Sequence, residues 1–218
     1  MKKNKVLTEA FTWLAIGLLI CFGASFVCSY SETMFNLVYA SLNGYGYLVW
    51  LIAEIAIALF LTVRIRKLAP STAKLLYLLY SLLTGISLTG IFIFYTASSL
   101  AFVFLATAVT FGVFAIIGKT TQVDMSKWWV YLGVGLLAII VMEIINIFLM
   151  NNTLNIVLCI VSILVFCAYI AYDVQRAMDE TFLSDCENKG VYIAFQLFLD
   201  IINVFLDLLR LFGKARDN

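Results

Sequence analysis

The chain has 218 residues, 64% of them hydrophobic and 12% charged, with one proline, no histidine and a net charge of +1. Soluble domains sit nearer roughly 45–50% apolar and about 25% charged, so this composition reads as an integral membrane protein and gives no footprint for nucleic acid. Cys21, Cys28, Cys159, Cys167 and Cys186 are scattered, mostly inside apolar runs, and read as small buried side chains rather than a disulfide framework.

The N-terminal M-K-K-N-K resembles the basic start of a signal peptide. The apolar run behind it is too long and lacks a small-residue cleavage site, so a retained first span is expected over 11–30. Gly17, Gly23, Ala24 and Ser25 there permit close helix contact in lipid. The connection that follows ends in N-G-Y-G-Y-L-V-W, whose tyrosines and Trp50 read as an interfacial aromatic belt. A second span over 47–63 carries Glu54 and stops at a basic linker with Arg64, Arg66, Lys67, Lys74 and Pro70.

The third span is expected over 75–94, with Ser81, Thr84 and Ser87 recurring as helix-packing hydroxyls, and the fourth over 98–117. The link between them is short enough to force an antiparallel hairpin. In the polar connection after the fourth span, Asp124 or Ser126 is placed to cap the next helix. Trp128 and Trp129 open the fifth span, 128–149, which holds Glu143 and Asn146. Asn151 and Asn152 turn the chain into the sixth, 154–172, with Asp173 at its polar mouth. A charged connection containing Arg176, Asp179, Glu180, Asp185, Glu187 and Lys189 leads to the last span, 191–212.

Seven apolar segments of about 20 residues match the hydrocarbon core and leave no room for a soluble catalytic domain. The reading is one all-α membrane domain over 1–218, with six helices surrounding a central C-terminal helix. Lys and Arg concentrate on the N-terminal side through six spans, which places the N-terminus in the cytoplasm. The tail breaks that pattern: a full crossing of the last helix carries Lys214 and Arg216 to the other side, whereas a re-entrant segment returns them.

The last segment is the most informative. Asp200, Asn203 and Asp207 share one helical face with Arg210 at its margin, and buried carboxylates in lipid face protein or water-filled cavities. Asp200 lies about 14 Å into that helix and Asp207 about 10 Å further. If the helix begins a turn deeper than Val191, Asp200 comes within hydrogen-bonding reach of Asp173. Two carboxylates in a dry site cannot both ionise cheaply, so the pair reads as a proton-responsive latch. Deprotonated, it becomes an oxygen-rich site for a hard cation such as Ca²⁺. Arg64 or Arg66 is placed to pair with Asp173, while Glu54, Glu143, Asp207 and Asn203 are candidate ion-pathway groups. The structural alternatives are plain: Arg210 neutralises Asp207 at i+3, and Glu54 and Glu143 serve helix packing.

The segment F-L-D-I-I-N-V-F-L-D-L-L-R-L-F-G, with A-Y-D-V-Q-R around Asp173, L-T-G-I-S-L-T-G-I-F-I-F-Y-T and F-G-V-F-A-I-I-G-K-T-T, resembles the Bax inhibitor-1 (transmembrane Bax inhibitor motif) family, in a bacterial form. The resemblance covers nearly the whole chain. It implies six helices around a seventh and a pH-sensitive calcium leak controlled by an aspartate pair matching Asp173 and Asp200. It also implies a basic partner matching Arg64 or Arg66. With no histidine, no serine–base pair or metal-ligand motif and no G-x-G-D setting around its membrane aspartates, the sequence itself is read as no enzyme and as needing no cofactor. The family's Gly-x-x-x-x-Pro pattern is replaced here by Gly85 to Gly90, which is expected to remove a kink. Relatives are associated with cell-death suppression and with membrane-protease regulation. A non-transporting partner of a membrane protease in the bacterial inner membrane is therefore the alternative to a gated leak. Lipid, Ca²⁺ and protons are the expected partners, and a monomer is the expected state.

Overall fold

The computed structural model describes residues 2–36, 46–179 and 181–216. The belt tyrosine Tyr45 and the loop acid Glu180 lie outside the described residues. The chain is all-α, with seven helical segments long and apolar enough to cross a membrane among them. In order the helices are α1 (Lys2–Tyr30), α2 (Glu32–Phe35), α3 (Gly46–Arg64), α4 (Pro70–Ser87), α5 (Thr89–Phe94), α6 (Ala97–Thr120), α7 (Trp128–Leu149), α8 (Asn152–Ala177) and α9 (Lys189–Phe212). Helices α1, α4 and α8 run a turn or more beyond their apolar cores, because hydrogen bonding continues into the polar flanks where composition alone marks an end.

Two compact units divide the described chain. The first holds α1 to α5, the loop after residue 180, α9 as far as Phe198, and the tail. Here α1 packs on α4 and α5, and α3 on α4. Its core is aromatic: Tyr77 meets Phe198 edge-on at 5.9 Å, and Tyr80 meets Phe195 and Phe198 at 5.4 and 5.7 Å between ring centres. Gly85 lets α1 and α4 touch backbone to backbone, since a Cβ there would collide with the Cys21 carbonyl. Trp50, expected in an interfacial belt, packs instead against Cys28 and Ile86.

The third span is not one helix. Despite the missing proline, it breaks at Leu88 between α4 and α5, where the Thr89 hydroxyl donates to the Ile86 carbonyl at 2.8 Å. The Leu88 amide still donates to the Thr84 carbonyl at 2.9 Å, so the interruption is a single residue with glycines at 85 and 90 on either side. Pro70 itself opens α4 at a first-turn position, where its missing N–H costs nothing.

The second unit comprises α6, α7, α8 and residues 199–214, with α6 and α7 both packed on α8. Phe104 stacks on Phe205 at 4.7 Å, and Gly118 brings α6 onto the Ala171 backbone of α8. Neither Asp124 nor Ser126 caps α7. Its cap position is Lys127, without a side-chain bond, and Asp124 accepts from the amide and hydroxyl of Ser126. That capping holds the Asp124 carboxyl below the usual carboxylate range, the Ser126 amide first among the causes. Asn151 does cap α8, accepting from the Leu154 amide at 2.9 Å.

Helix α9 is the most buried of the seven spans. It begins beside the turn after α3, where Asn188 donates to the carbonyls of Ile65 and Leu68. It ends beside the α5–α6 link, where Ala215 bridges Tyr95 and the Arg216 amide donates to Phe94 at 2.8 Å. Those anchors lie at opposite ends of α4 and α5, so α9 runs the full length of that pair and its tail does not fold back to the start. With all five cysteines buried, single cysteines at Asp124→Cys and Arg216→Cys should react with an impermeant thiol reagent from opposite faces of a sealed vesicle. Labelling of both from one face would contradict the crossing.

Candidate functional site

Asp173 does not sit at a solvated helix end. Alternation of Ile170, Ala171, Val174 and Ala177 along one face keeps α8 helical and buried for a full turn beyond it, and Asp173 is only 5% exposed. Asp200 of α9 is 4% exposed. The two carboxyl groups lie within hydrogen-bonding reach of each other. They meet even though α9 starts at Lys189, earlier than the deeper start that the sequence made the condition for contact.

Carboxylate oxygens only accept, so a hydrogen bond between these groups exists only while one of them carries a proton. The Oδ2 atom of each aspartate has no hydrogen-bond partner among the described residues. Arg176 of α8 lies in electrostatic range of Asp173, Cys167 of Asp200, and Tyr169 of both. Such a pair can hold one proton, release it, and then present two like charges in a place that tolerates neither singly.

A second polar cluster lies two turns further along α9. Arg210 Nη1 is 3.0 Å from Glu143 Oε1 of α7 and 3.5 Å from Asp207 Oδ1. Ser162 and Cys159 of α8, one turn apart, face the buried Asp207 carboxyl. The i+3 arginine therefore does approach Asp207, but its shorter contact is with Glu143. Asn203 donates to the Leu199 carbonyl of its own helix at 2.7 Å. In the first unit, Glu54 faces Cys21 and Tyr80.

Of the two arginines offered to Asp173, Arg64 is exposed and Arg66 is occupied by the loop before α9. Its guanidinium pairs with Asp185, donates to the Phe182 carbonyl, and lies 4.7 Å from the Phe182 ring centre and 5.3 Å from that of Tyr192. Asp185 was legible as a charged loop residue, but nothing in the spacing tied it to a position 119 residues away. Equally unread was Gln175, whose amide bonds twice to the loop after α6.

No group of three or more His, Cys, Asp or Glu side chains among the described residues is arranged to hold a metal. Two carboxyl groups supply at most four of the six to eight oxygens that Ca²⁺ prefers.

The model of the family described as "Inhibitor of apoptosis-promoting Bax1" matches residues 3–217. The chain belongs to the Bax inhibitor-1 family. The family is one of non-catalytic membrane proteins. Its similar relatives include an uncharacterized protein of Borreliella burgdorferi, 34% identical over 99% of this chain and 94% of its own length. Inner membrane protein YbhL of Escherichia coli K12 is 32% identical over 96% of this chain and 92% of its own. A Rickettsia prowazekii protein is 28% identical over 98% and 91%.

The Arg66 bond holds the Asp185 carboxyl below the usual carboxylate range. A carboxyl lowered in the folded state stabilises above its unfolded value and loses that contribution as pH falls through the lowered one. Residues 181–188 should accordingly gain amide exchange in strong acid, and Asp185→Asn should produce that gain at neutral pH; unchanged exchange in the variant would contradict the tether. At the other cluster, Arg210→Met leaves the Asp207 carboxyl without its cation and should cost about 2 kcal/mol. Glu143→Gln, which removes a half-exposed partner, should cost less than about 1 kcal/mol. Thermal unfolding in detergent separates the two, and equal losses would contradict the assignment.

Proposed function

We propose that this protein is a pH-sensitive passive leak for Ca²⁺ across the bacterial inner membrane, gated by the Asp173–Asp200 pair. The observation that carries the reading is the contact of two buried carboxyl groups, each with an oxygen unpartnered among the described residues. At acid pH the pair holds its proton, stays joined and keeps the route shut. As pH rises the proton leaves, the like charges repel, and the separating oxygens offer a hard cation a stepping site. Flow then follows the electrochemical gradient, since the sequence carries no nucleotide-binding motif to drive a pump.

On this reading the single domain places six helices around α9, with the N-terminus in the cytoplasm. The basic side chains before α1, after α3, after α6 and after α8 support that orientation. The inner-membrane placement follows the name of the YbhL relative. Asn203, Asp207 and Glu143, in the same unit as the pair, mark the ion's further route. The protein works as a monomer in lipid, with protons and Ca²⁺ as its small partners.

Purified protein in liposomes tests this directly. Ca²⁺ efflux should rise from acid to neutral pH in the wild type, and Asp200→Asn should flatten the dependence. Silence at every pH would sink the leak and favour a non-transporting partner of a membrane protease.

A further inference from the structure

The end of α8 is held by a loop from elsewhere in its own unit. Gln175 stands two residues beyond Asp173, and its side-chain amide works at both ends. The Met125 amide donates to Gln175 Oε1 at 2.9 Å, and Gln175 Nε2 donates to the Val123 carbonyl at 2.9 Å. A glutamine bonded this way replaces one peptide unit of a neighbouring strand and fixes the loop in register. Arg176 adds a third tie by donating to the Ser126 carbonyl at 2.9 Å, while its guanidinium lies over the Tyr172 ring at 5.3 Å. Between these polar ties Met125 is buried against Leu132, Ala171 and Tyr172.

The loop is itself stiffened. The Val123 amide donates to the Thr121 hydroxyl, and Asp124 accepts from both the amide and the hydroxyl of Ser126. Six short-range or bridging hydrogen bonds in seven residues, 121–127, exceed what joining α6 to α7 requires. What they immobilise is the last turn and a half of α8, and that turn carries Asp173.

We propose that Gln175 is a positioning residue: through its clasp on the α6–α7 loop it holds the inner end of α8 so that Asp173 stays against Asp200. This rests on the proposed pair-gated leak and adds what sets its pH response. A hydrogen bond between two carboxyl groups tolerates little displacement, and a helix end without tertiary ties frays. Loosening the clasp lets the Asp173 turn move, weakens the shared-proton contact and makes the proton easier to lose. The charged and titratable groups around Asp173 are Asp200 on α9, with Arg176, Tyr169 and Tyr172 on α8. The loop brings Asp124, whose neighbours include Arg176 and Lys127, so the loop's charges offset one another near the helix end.

The experiment compares Ca²⁺ efflux from liposomes across a pH series for wild type, Gln175→Ala and Gln175→Glu, with Asp200→Asn alongside. Amide exchange over 121–127 and 170–177 is followed in the same preparations. Gln175→Ala should move the pH at which flux closes downwards by about one unit, the tenfold weakening that two lost hydrogen bonds entail, and should raise exchange in both segments. Gln175→Glu keeps the Met125 bond and should fall between. If Gln175→Ala raises exchange in the loop but leaves the closing pH unmoved, the clasp holds only the loop and the positioning role is overturned, while the pair reading stands on Asp200→Asn. A wild type without pH response overturns both.

Discussion

Two carboxyl groups that share one dry place constrain everything around them. Asp173 and Asp200 come from α8 and α9, both are buried, and each points at the other. Neither could sit there ionised without a counter-charge at hand, and the nearest cation, Arg176, is occupied by Asp179 and the Ser126 carbonyl. A proton is then the cheapest counter-ion, and it is one that the solvent supplies or withdraws according to pH. Histidine, the usual side chain for such sensing near neutrality, is absent from the chain. On the leak proposed above, two coupled carboxyls in a low-dielectric site take its place.

The surroundings divide into groups that keep this pair dry and groups that keep it in register. The buried faces of α8 and α9 contribute Ile170, Ala171, Val174, Ile201 and Val204. Register is secured at close helix contacts such as Gly118 against Ala171, two residues before Asp173, and by the Gln175 clasp two residues after it. The Glu143–Arg210–Asp207 cluster follows a different logic. Its guanidinium sits between two carboxylates, so here the protein supplies a directly bonded counter-charge, while the nearest cation to the pair, Arg176, bonds Asp179 and the Ser126 carbonyl. One helix thus carries a carboxyl facing another carboxyl and, two turns on, a carboxyl facing a guanidinium.

Seven spans and the face shared by Asp200, Asn203 and Asp207 were legible because both follow from short-range periodicity. Helix ends were not: α8 continues to Ala177 because its polar last turn is bonded to a loop 50 residues away, which no window of hydropathy contains. For the same reason Asp173 read as half-solvated and is buried. The break at Leu88 escaped because the cue sought was a proline, while the residues on either side of it are glycines at 85 and 90. Contacts fixed by tertiary approach, Arg66 with Asp185 and Arg210 with Glu143, have no local signature at all; the sequence names the charges but not the pairings.

The tail illustrates how such pairings outweigh a compositional rule. Positive residues favour one side of the membrane through six spans, and the last helix carries Lys214 and Arg216 to the other. The charge bias is a statement about insertion, worth most for short loops flanking early spans. Against it stand bonds at both ends of α9. Asn188 holds the start to the Ile65 and Leu68 carbonyls, and the finish is held by the Tyr95–Ala215 bridge and by the Lys214 amide donating to Ser99. A re-entrant segment would forfeit the second set and would have to bury Asp207 away from Ser162 of α8. Two cationic side chains, both able to remain in water on either face, are a small cost beside that loss, so the crossing is decided by what the helix must bury rather than by what its tail carries.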